Sequence, residues 1–351
     1  MKINDIIKGK FATWIDEETE NYSGVLSASG EDGVIFEQTI GYRDNEKKLQ
    51  NEADTRFGLA SGTKLFTGLA ICKLIDEGKL SLDDKLCNLL SFDLGQIDKR
   101  VTVYQLLTHT SGVGDYIDED ADDFDEQYSA LMEKYPAHLW ENLEYYLQMI
   151  TPLKAKFEPG EECCYSNSGY VLLGLVVEAV SGVSYQKFVQ DEIIVPCELA
   201  HTGFFRMDSL PENTAIGYMQ DEYSGEWSAN TDSLPIIGGS DGGIFSCATD
   251  MDKLWRAIFG NKILSEKMTK EFLKPHVVSD EDEEDDAVES FGFGVYHYKI
   301  GGKVFYGTIG ADNGVGFFSG YYPGAKIVIS SFCNTGYTGS QLLFGALAVI
   351  G

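Results

Sequence analysis

A serine and a lysine three residues apart, in Ser61-Gly62-Thr63-Lys64, carry the most chemistry in this 351-residue chain. They stand where an extended approach, Phe57-Gly58-Leu59-Ala60, runs into an apolar-periodic stretch. Residues i and i+3 of a helix share a face, so a serine opening that helix has a lysine amine one turn above its hydroxyl. The helix start adds unpaired N–H groups and partial positive charge. An alcohol is a weak nucleophile that needs a neighbouring base and donors for the oxyanion it creates. One turn of chain supplies most of that. Further along, Tyr165-Ser166-Asn167 immediately precedes a second apolar helix. A phenol beside Lys64 can exchange a proton with the Ser61 hydroxyl, helped by the ammonium lowering its pKa. The Asn167 amide points the same way and can hold Lys64 or a substrate carbonyl. The structural alternative is an aromatic packed above a helix that Asn167 caps.

The elements that must position these groups follow from periodicity and turn residues. Residues 25–29, the turn Gly30-Glu31-Asp32-Gly33 and residues 34–40 predict a hairpin. Leu65, Leu69, Cys72 and Ile75 mark a helix face that Glu77-Gly78 closes. Val171, Leu175, Val176 and Ala179 mark a second helix over 170–180, ended by Ser181-Gly182. Residues 80–275 are helix-rich with long loops. Strands return over 291–300 and 303–309, joined by Gly301-Gly302, then over 314–320 and 326–333, with a closing helix over 341–350. This order predicts an α/β (α+β) fold: one antiparallel sheet built from both termini and flanked by helices, plus an inserted helical lobe. The whole chain, 1–351, reads as a single unit. Residues 1–75 and 250–351 form its sheet-containing lobe and 76–249 its helix-rich lobe.

Hydrophobic content of 43% with 12% aromatics suits a globular protein with a large core. A net charge of −29 argues against nucleic acid and anionic membrane surfaces as partners, since both demand a basic face. The apolar run near Met1 is too short for a signal peptide, and Asp5 interrupts it. No stretch approaches the roughly 18 apolar residues of a membrane span. The expected location is therefore cytoplasmic. The cysteines (Cys72, Cys87, Cys163, Cys164, Cys197, Cys247 and Cys333) are odd in number and lack zinc spacing. They read as buried free thiols. The acidic runs 115–126 and 280–286 lack the calcium-loop pattern and read as solvated loops or lids near a cleft. No metal or cofactor is implied.

Taken together, these phrases resemble the serine β-lactamase and penicillin-binding-protein superfamily. The match is to its class C-like branch, which also holds D-aminopeptidases, D-alanyl-D-alanine carboxypeptidases and esterases. That branch carries S-x-x-K and Y-x-N. Leu106-Leu107-Thr108-His109-Thr110-Ser111-Gly112 is similar to its L-L-T-H-T-S-G segment. Phe157-Glu158-Pro159-Gly160, with Tyr165-Ser166-Asn167-Ser168-Gly169-Tyr170, is similar to its F-x-P-G-x-x-x-x-Y-S-N-x-G-Y. Gly242-Gly243-Ile244-Phe245-Ser246, ending in Asp250-Met251, is similar to its G-G-x-x-S-T-x-x-D-M. The resemblance runs from about Thr55 to Cys333 and implies a β-lactamase/transpeptidase-like fold.

It also implies roles. Ser61 would be the acylated nucleophile, with Lys64 and Tyr165 as a coupled base and Asn167 holding the network. The Ser61 backbone N–H would form half of the oxyanion hole. The family's third motif, commonly G-H-x-G-x-x-x-G, aligns with Gly307, Thr308, Gly310 and Gly314. Gly310 keeps the glycine that lets backbone approach a ligand, and the Ala311 N–H would complete the hole. Thr308 stands where the family has Lys or His. That departure counts against efficient penicillin or D-Ala-D-Ala turnover and towards neutral esters or amides.

The expected function is a serine hydrolase acting through a Ser61 acyl-enzyme on a small ester, amide or D-amino-acid peptide. A true β-lactamase or D-Ala-D-Ala carboxypeptidase is one alternative. A binding or regulatory protein that kept the fold and lost turnover is the other. A Ser-His-Asp triad is disfavoured, because no G-x-S-x-G elbow occurs and His109 lies in a structural turn. His138, His201, His276 and His297 have no acidic partner at a telling spacing.

Overall fold

Alternating apolar residues near the two ends of the chain meet in one sheet. The computed structural model describes Gly9 and residues 22–336, apart from 120, 222–223, 231–232 and 283–286. Strands β1 (Gly24–Gly30) and β2 (Gly33–Ile40) come from the N-terminal side. From the C-terminal side come β3 (Val277–Asp282), β4 (Ala287–Phe291), β5 (Tyr296–Ile300), β6 (Lys303–Asp312), β7 (Val315–Tyr322) and β8 (Ile327–Cys333). Their order is β2-β1-β8-β7-β6-β5-β4-β3. β1 and β8 run antiparallel from Gly24 opposite Cys333 to Ser29 opposite Val328, which joins the two ends of the chain. Successive side chains of a strand point to opposite faces. Val328 and Phe332 of β8 therefore join the main core with Val25 and Phe317, while Ile327, Ile329 and Cys333 pack with Leu26 and Ala28 in a second cluster.

Four helices bear on the site: α1 (Thr63–Asp76), α2 (Phe124–Lys134), α3 (Asn167–Ser181) and α4 (Ala248–Phe259). Periodicity gives α1 one apolar face, but in the structure every residue from Thr63 to Cys72 is buried. A helix with no solvent face leaves Lys64 nowhere to reach water. α3 begins earlier than its apolar pattern, at Asn167, because the Ser166 hydroxyl caps it by accepting from Gly169 N at 3.0 Å. Gly182 ends it in the left-handed region, at φ 76°. The Trp255 indole of α4 donates to Ser319 Oγ of β7 at 2.9 Å, tying that helix to the sheet.

The structure departs from the sequence expectation in three places. Residues 291–300 are two strands, because Phe291 pairs with Tyr296 across a turn in which Gly294 adopts φ 82°. The acidic run 280–286 is partly strand: Asp280 and Glu281 lie on β3 at the sheet edge, where charge discourages pairing with another chain. All seven cysteines are free thiols, yet Cys87, Cys163 and Cys164 are only partly buried. The closing helix expected over 341–350 lies outside the described residues. Among the described residues no single helix is long and apolar enough to cross a membrane.

Gly68 lets α1 lie directly on the turn between β4 and β5, since a Cβ there would stand 1.8 Å from the Phe293 carbonyl oxygen. Overpacking of that kind costs about 1–3 kcal/mol. Gly68→Ala should therefore lower the urea midpoint without changing the slope. An unchanged midpoint would show that the helix has room to shift.

Candidate active site

Ser61 sits in a single 3-10 turn, Ala60–Gly62, that runs straight into α1. The stretch after Gly243 holds this turn. Phe57 and Gly58 pair with Ser246 and Phe245, and Leu59 N donates to Ile244 O at 2.8 Å. Thr63 Oγ1 donates to Ala60 O at 2.7 Å and accepts from Ile244 N at 3.1 Å. These bonds hold Ala60 at φ 43°, a left-handed value that is strained for a residue with a Cβ. Gly310 of β6 passes immediately alongside. A Cβ there would lie 2.0 Å from Leu59 O and 2.8 Å from Ser61 N, so only glycine lets the strand run against the serine's backbone.

Lys64 is 4% exposed. Its Nζ lies 3.0 Å from Ser61 Oγ, 2.7 Å from Asn167 Oδ1 and 2.8 Å from the Asp241 carbonyl oxygen. The last two partners can only accept, which fixes two N–H bonds. The remaining position faces the Ser61 hydroxyl with either an N–H or, in the neutral amine, the lone pair. Burial pushes the Lys64 pKa down, opposed by the carboxylates of Asp241, Glu119, Asp115 and Asp312. Asn167 is oriented in turn, its Nδ2 donating to Glu119 Oε1 at 2.8 Å and to Ile117 O at 3.3 Å. Asp115 accepts from the backbone N–H groups of Asn167 at 2.7 Å and Ser168 at 2.8 Å, satisfying the start of α3.

Tyr165 hydrogen-bonds the Ser61 side chain, and Lys64 Nζ stands 4.8 Å from its ring centroid. The expected lowering of its pKa by the cation does not occur. Desolvation raises the phenol well above its usual value, and Tyr296 and Glu119 add to the rise. Tyr165 is thus a protonated donor at rest. His109 is structural, as expected: its ring stacks on Tyr165 at 4.7 Å and on Tyr170 at 5.0 Å, and Nδ1 accepts from Ser166 N at 3.0 Å. Burial, with Lys64 nearby, lowers its pKa to about 3. The two flanking motif segments hold this stack, with Cys164 N donating to His109 O and Gly160 N to Thr110 O.

Ser61 and Asn167 open onto a cleft of about 460 Å³. Phe124, Tyr128, Trp140, Tyr146, Phe205 and Met207 give it an apolar lining. No residue of α2 is buried, although Phe124, Tyr128 and Met132 turn one face of that helix to the cleft. The helix is a cover, and Tyr128 fastens it by donating to Ser233 O at 3.1 Å. Ala311 to Gly314 form another stretch of wall, where β6 has run past its pairing with β5 at Gly307. Lys64, Tyr165, Thr308 and Gly310 stand behind the lining, and Thr308 is 2% exposed. No histidine lines the cleft among the described residues, which leaves no geometry for a Ser-His-Asp triad.

Several residues that shape the site carry no signal in the sequence. Asp115 and Glu119 fall in the run 115–126 that reads as solvated. Asp241 lies just before Gly242-Gly243, and its carboxylate accepts from the Tyr116 hydroxyl. Asp312 follows Ala311 and is open to the cleft while crowded by protein on its other sides. That crowding, with Glu119 and Asp241 adding to it, pushes its carboxyl up to about 7. Among the described residues no group of His, Cys, Asp and Glu has an arrangement suited to a metal ion.

The Beta-lactamase family model matches residues 11–349. The chain belongs to the Beta-lactamase family. A penicillin-binding protein from Bacillus halodurans has the same fold with a TM-score of 0.87 at 37% identity, over 97% of this chain and 99% of that one. Penicillin-binding protein 4* of Bacillus subtilis is 30% identical over 265 residues, 72% of this chain and 56% of its own length. Protein flp of Staphylococcus aureus is 33% identical over 189 residues, 53% of this chain and 35% of its own length. The chain thus spans between about a third and just over half of these curated relatives. The superfamily and the β-lactamase/transpeptidase-like fold implied by the motifs are both borne out.

Asp115 makes the stability of this family member depend on pH. Burial raises its carboxyl to about 6, against the bonds from Ser168 and Asn167. A carboxyl with a raised folded pKa favours the folded state while protonated. That contribution is complete below the unfolded value of about 3.9 and is lost as pH rises through about 6. Asp115→Asn removes the titration, so between pH 4 and 7 the variant should gain roughly 1–3 kcal/mol on the wild type, beyond any constant offset. Melting temperatures of both proteins across that window test this. Parallel curves would exclude Asp115.

Proposed function

We propose that this protein is a serine hydrolase that works through an acyl-enzyme at Ser61 on small esters or amides, including D-amino-acid peptides. One observation carries this reading. Lys64 Nζ is anchored by Asn167 Oδ1 and the Asp241 carbonyl, which leaves its third position on Ser61 Oγ at 3.0 Å. Membership of the Beta-lactamase family supports serine-hydrolase chemistry.

In the proposed cycle, Ser61 Oγ adds to the substrate carbonyl carbon as its proton passes to the Lys64–Tyr165 unit. The N–H groups of Ser61 and Ala311 would receive the developing oxyanion. Collapse of the tetrahedral adduct expels the leaving group, which takes the proton back through the Tyr165 hydroxyl. Water then adds to the acyl carbon by the same route, releasing the acid and restoring Ser61. The raised Tyr165 pKa suits a group that hands on protons without becoming a stable phenolate. Lys64 and Tyr165 titrate as a unit, so neither alone is the base.

The lactamase and D-Ala-D-Ala carboxypeptidase alternative calls for a cation to meet a substrate carboxylate. Thr308 supplies none, and among the described residues no Lys or Arg lines the cleft. The complete set of Ser61, Lys64, Tyr165 and Asn167 opposes a binding protein without turnover.

Incubation with a fluorophosphonate, p-nitrophenyl acetate and a chromogenic cephalosporin, followed by peptide mass mapping, tests the proposal. Ester turnover and a label on Ser61 are expected. Ser61→Ala should abolish both. Tyr165→Phe keeps the stack on His109 and should slow turnover roughly 10²–10⁴-fold. No label on Ser61 from any probe would sink the reading, and rapid cephalosporin hydrolysis would put the lactamase alternative first.

A further inference from the structure

The charged side chains lining the cleft all have one sign. Glu119, Asp125, Asp241 and Asp312 line it, and among the described residues no Lys, Arg or His does. None of the four enters an ion pair among the described residues, and the three Lys64 contacts are to a hydroxyl, an amide oxygen and a main-chain carbonyl. Asp241 is buried and engaged by Tyr116, but Asp312 and Glu119 remain exposed to the opening. Asp312 immediately follows Ala311, and Glu119 holds the Asn167 amide, so both carboxylates sit beside the groups that surround Ser61.

Asn334 is 2% exposed and lines the same cleft, and its Nδ2 donates to the carbonyls of Tyr42 and Ile216, which fixes the amide orientation. Its Oδ1 has no donor among the described residues and is itself sealed within the protein. Four acidic side chains around an otherwise apolar, aromatic cavity suit a ligand that brings positive charge on a hydrocarbon frame.

We propose that the cleft selects esters or amides carrying a protonated amine close to the scissile carbonyl, with Asp312 and Glu119 as the carboxylates that receive it. This rests on the Ser61 acyl-enzyme reading and adds its substrate class. A substrate carboxylate would meet like charge in a partly desolvated site, whereas an ammonium would relieve the repulsion among the carboxylates. The net charge of −29 would further draw cations towards the mouth.

Three p-nitroanilides of alanine, each as both enantiomers, separate the charge states: the free amine, the N-acetyl compound and the N-succinyl compound. The expected order of kcat/KM is amine, then acetyl, then succinyl, with the amine ahead of the acetyl compound by at least about tenfold. Asp312→Asn, which keeps an acceptor for Asn313 N, should shrink that ratio roughly fivefold or more, chiefly through KM. Glu119→Gln should act in the same direction. Calorimetry on Ser61→Ala reads the same preference without turnover. Phenethylamine should bind, N-acetylphenethylamine and 3-phenylpropionate should bind at least about tenfold more weakly, and Asp312→Asn should weaken the amine alone. Equal binding of the three, preference for the carboxylate, or no binding of the amine overturns the selectivity proposal. Loss of fluorophosphonate labelling at Ser61 overturns the acyl-enzyme reading instead, so the two failures are distinguishable.

Discussion

A primary amine taken out of water is destabilising by several kcal/mol unless its hydrogens find acceptors. Lys64 is under that constraint because α1 is buried on every side through this turn. Its acceptors come from three separate segments: Ser61 on the turn before α1, Asn167 at the start of α3, and the Asp241 carbonyl before Gly242. Each is secured in its turn. Glu119 and Ile117 hold the Asn167 amide, Asp115 holds its backbone, and the neighbouring Ser240 carbonyl accepts from Thr67 Oγ1. The amine therefore joins three segments that share no strand or helix. Removing any one acceptor would leave a buried N–H unpaired, so the geometry around Ser61 and the packing of the helices depend on each other.

Backbone contacts do the same work around Ser61. Ala60 keeps a left-handed conformation because the 244–246 segment and Thr63 bond to both sides of it. β6 can run alongside only because residue 310 has no side chain. Most of the family motifs act at this level. The His109 segment stacks beneath Tyr165, the Gly160 segment bonds to the Thr110 backbone, and the stretch from Gly243 to Ser246 braces the nucleophile's turn. Few of these residues face the cleft. Their effect is to leave the reacting side chains one arrangement, which positioned catalysis requires.

The parts of the site that were legible in the sequence are those set by local spacing. Ser61 and Lys64 lie one turn apart, Tyr165 and Asn167 open a helix, and the glycine turns mark their hairpins. What depends on distant segments was not legible. The apolar stripe of α1 omits Thr63, Lys64 and Thr67, which are buried because tertiary bonds satisfy them. Alternating Phe291, Phe293 and Val295 look like one strand, and only the pairing of Phe291 with Tyr296 reveals the bend at Gly294. The chain shows a lysine able to acidify Tyr165, but not the desolvation that outweighs it. Among 56 acidic residues, nothing in spacing singles out Glu119, Asp241 and Asp312. Only the fold brings them to one cleft.

Those carboxylates also act on Lys64. Burial drives the Lys64 amine towards its neutral form, and Asp241, Glu119, Asp115 and Asp312 oppose it by favouring the ammonium. The resting site therefore balances two opposed effects of similar origin, low dielectric and trapped negative charge. Positive charge placed among Glu119 and Asp312 would weaken the second effect and leave the first intact. The Lys64 pKa would then fall, and the lone pair would turn to the Ser61 hydroxyl when the cleft is filled. With the cleft empty, those carboxylates favour the ammonium against the effect of burial. Charge selection and activation of the nucleophile would thus follow from one set of side chains, because the groups proposed to receive the substrate amine also favour the ammonium form of Lys64.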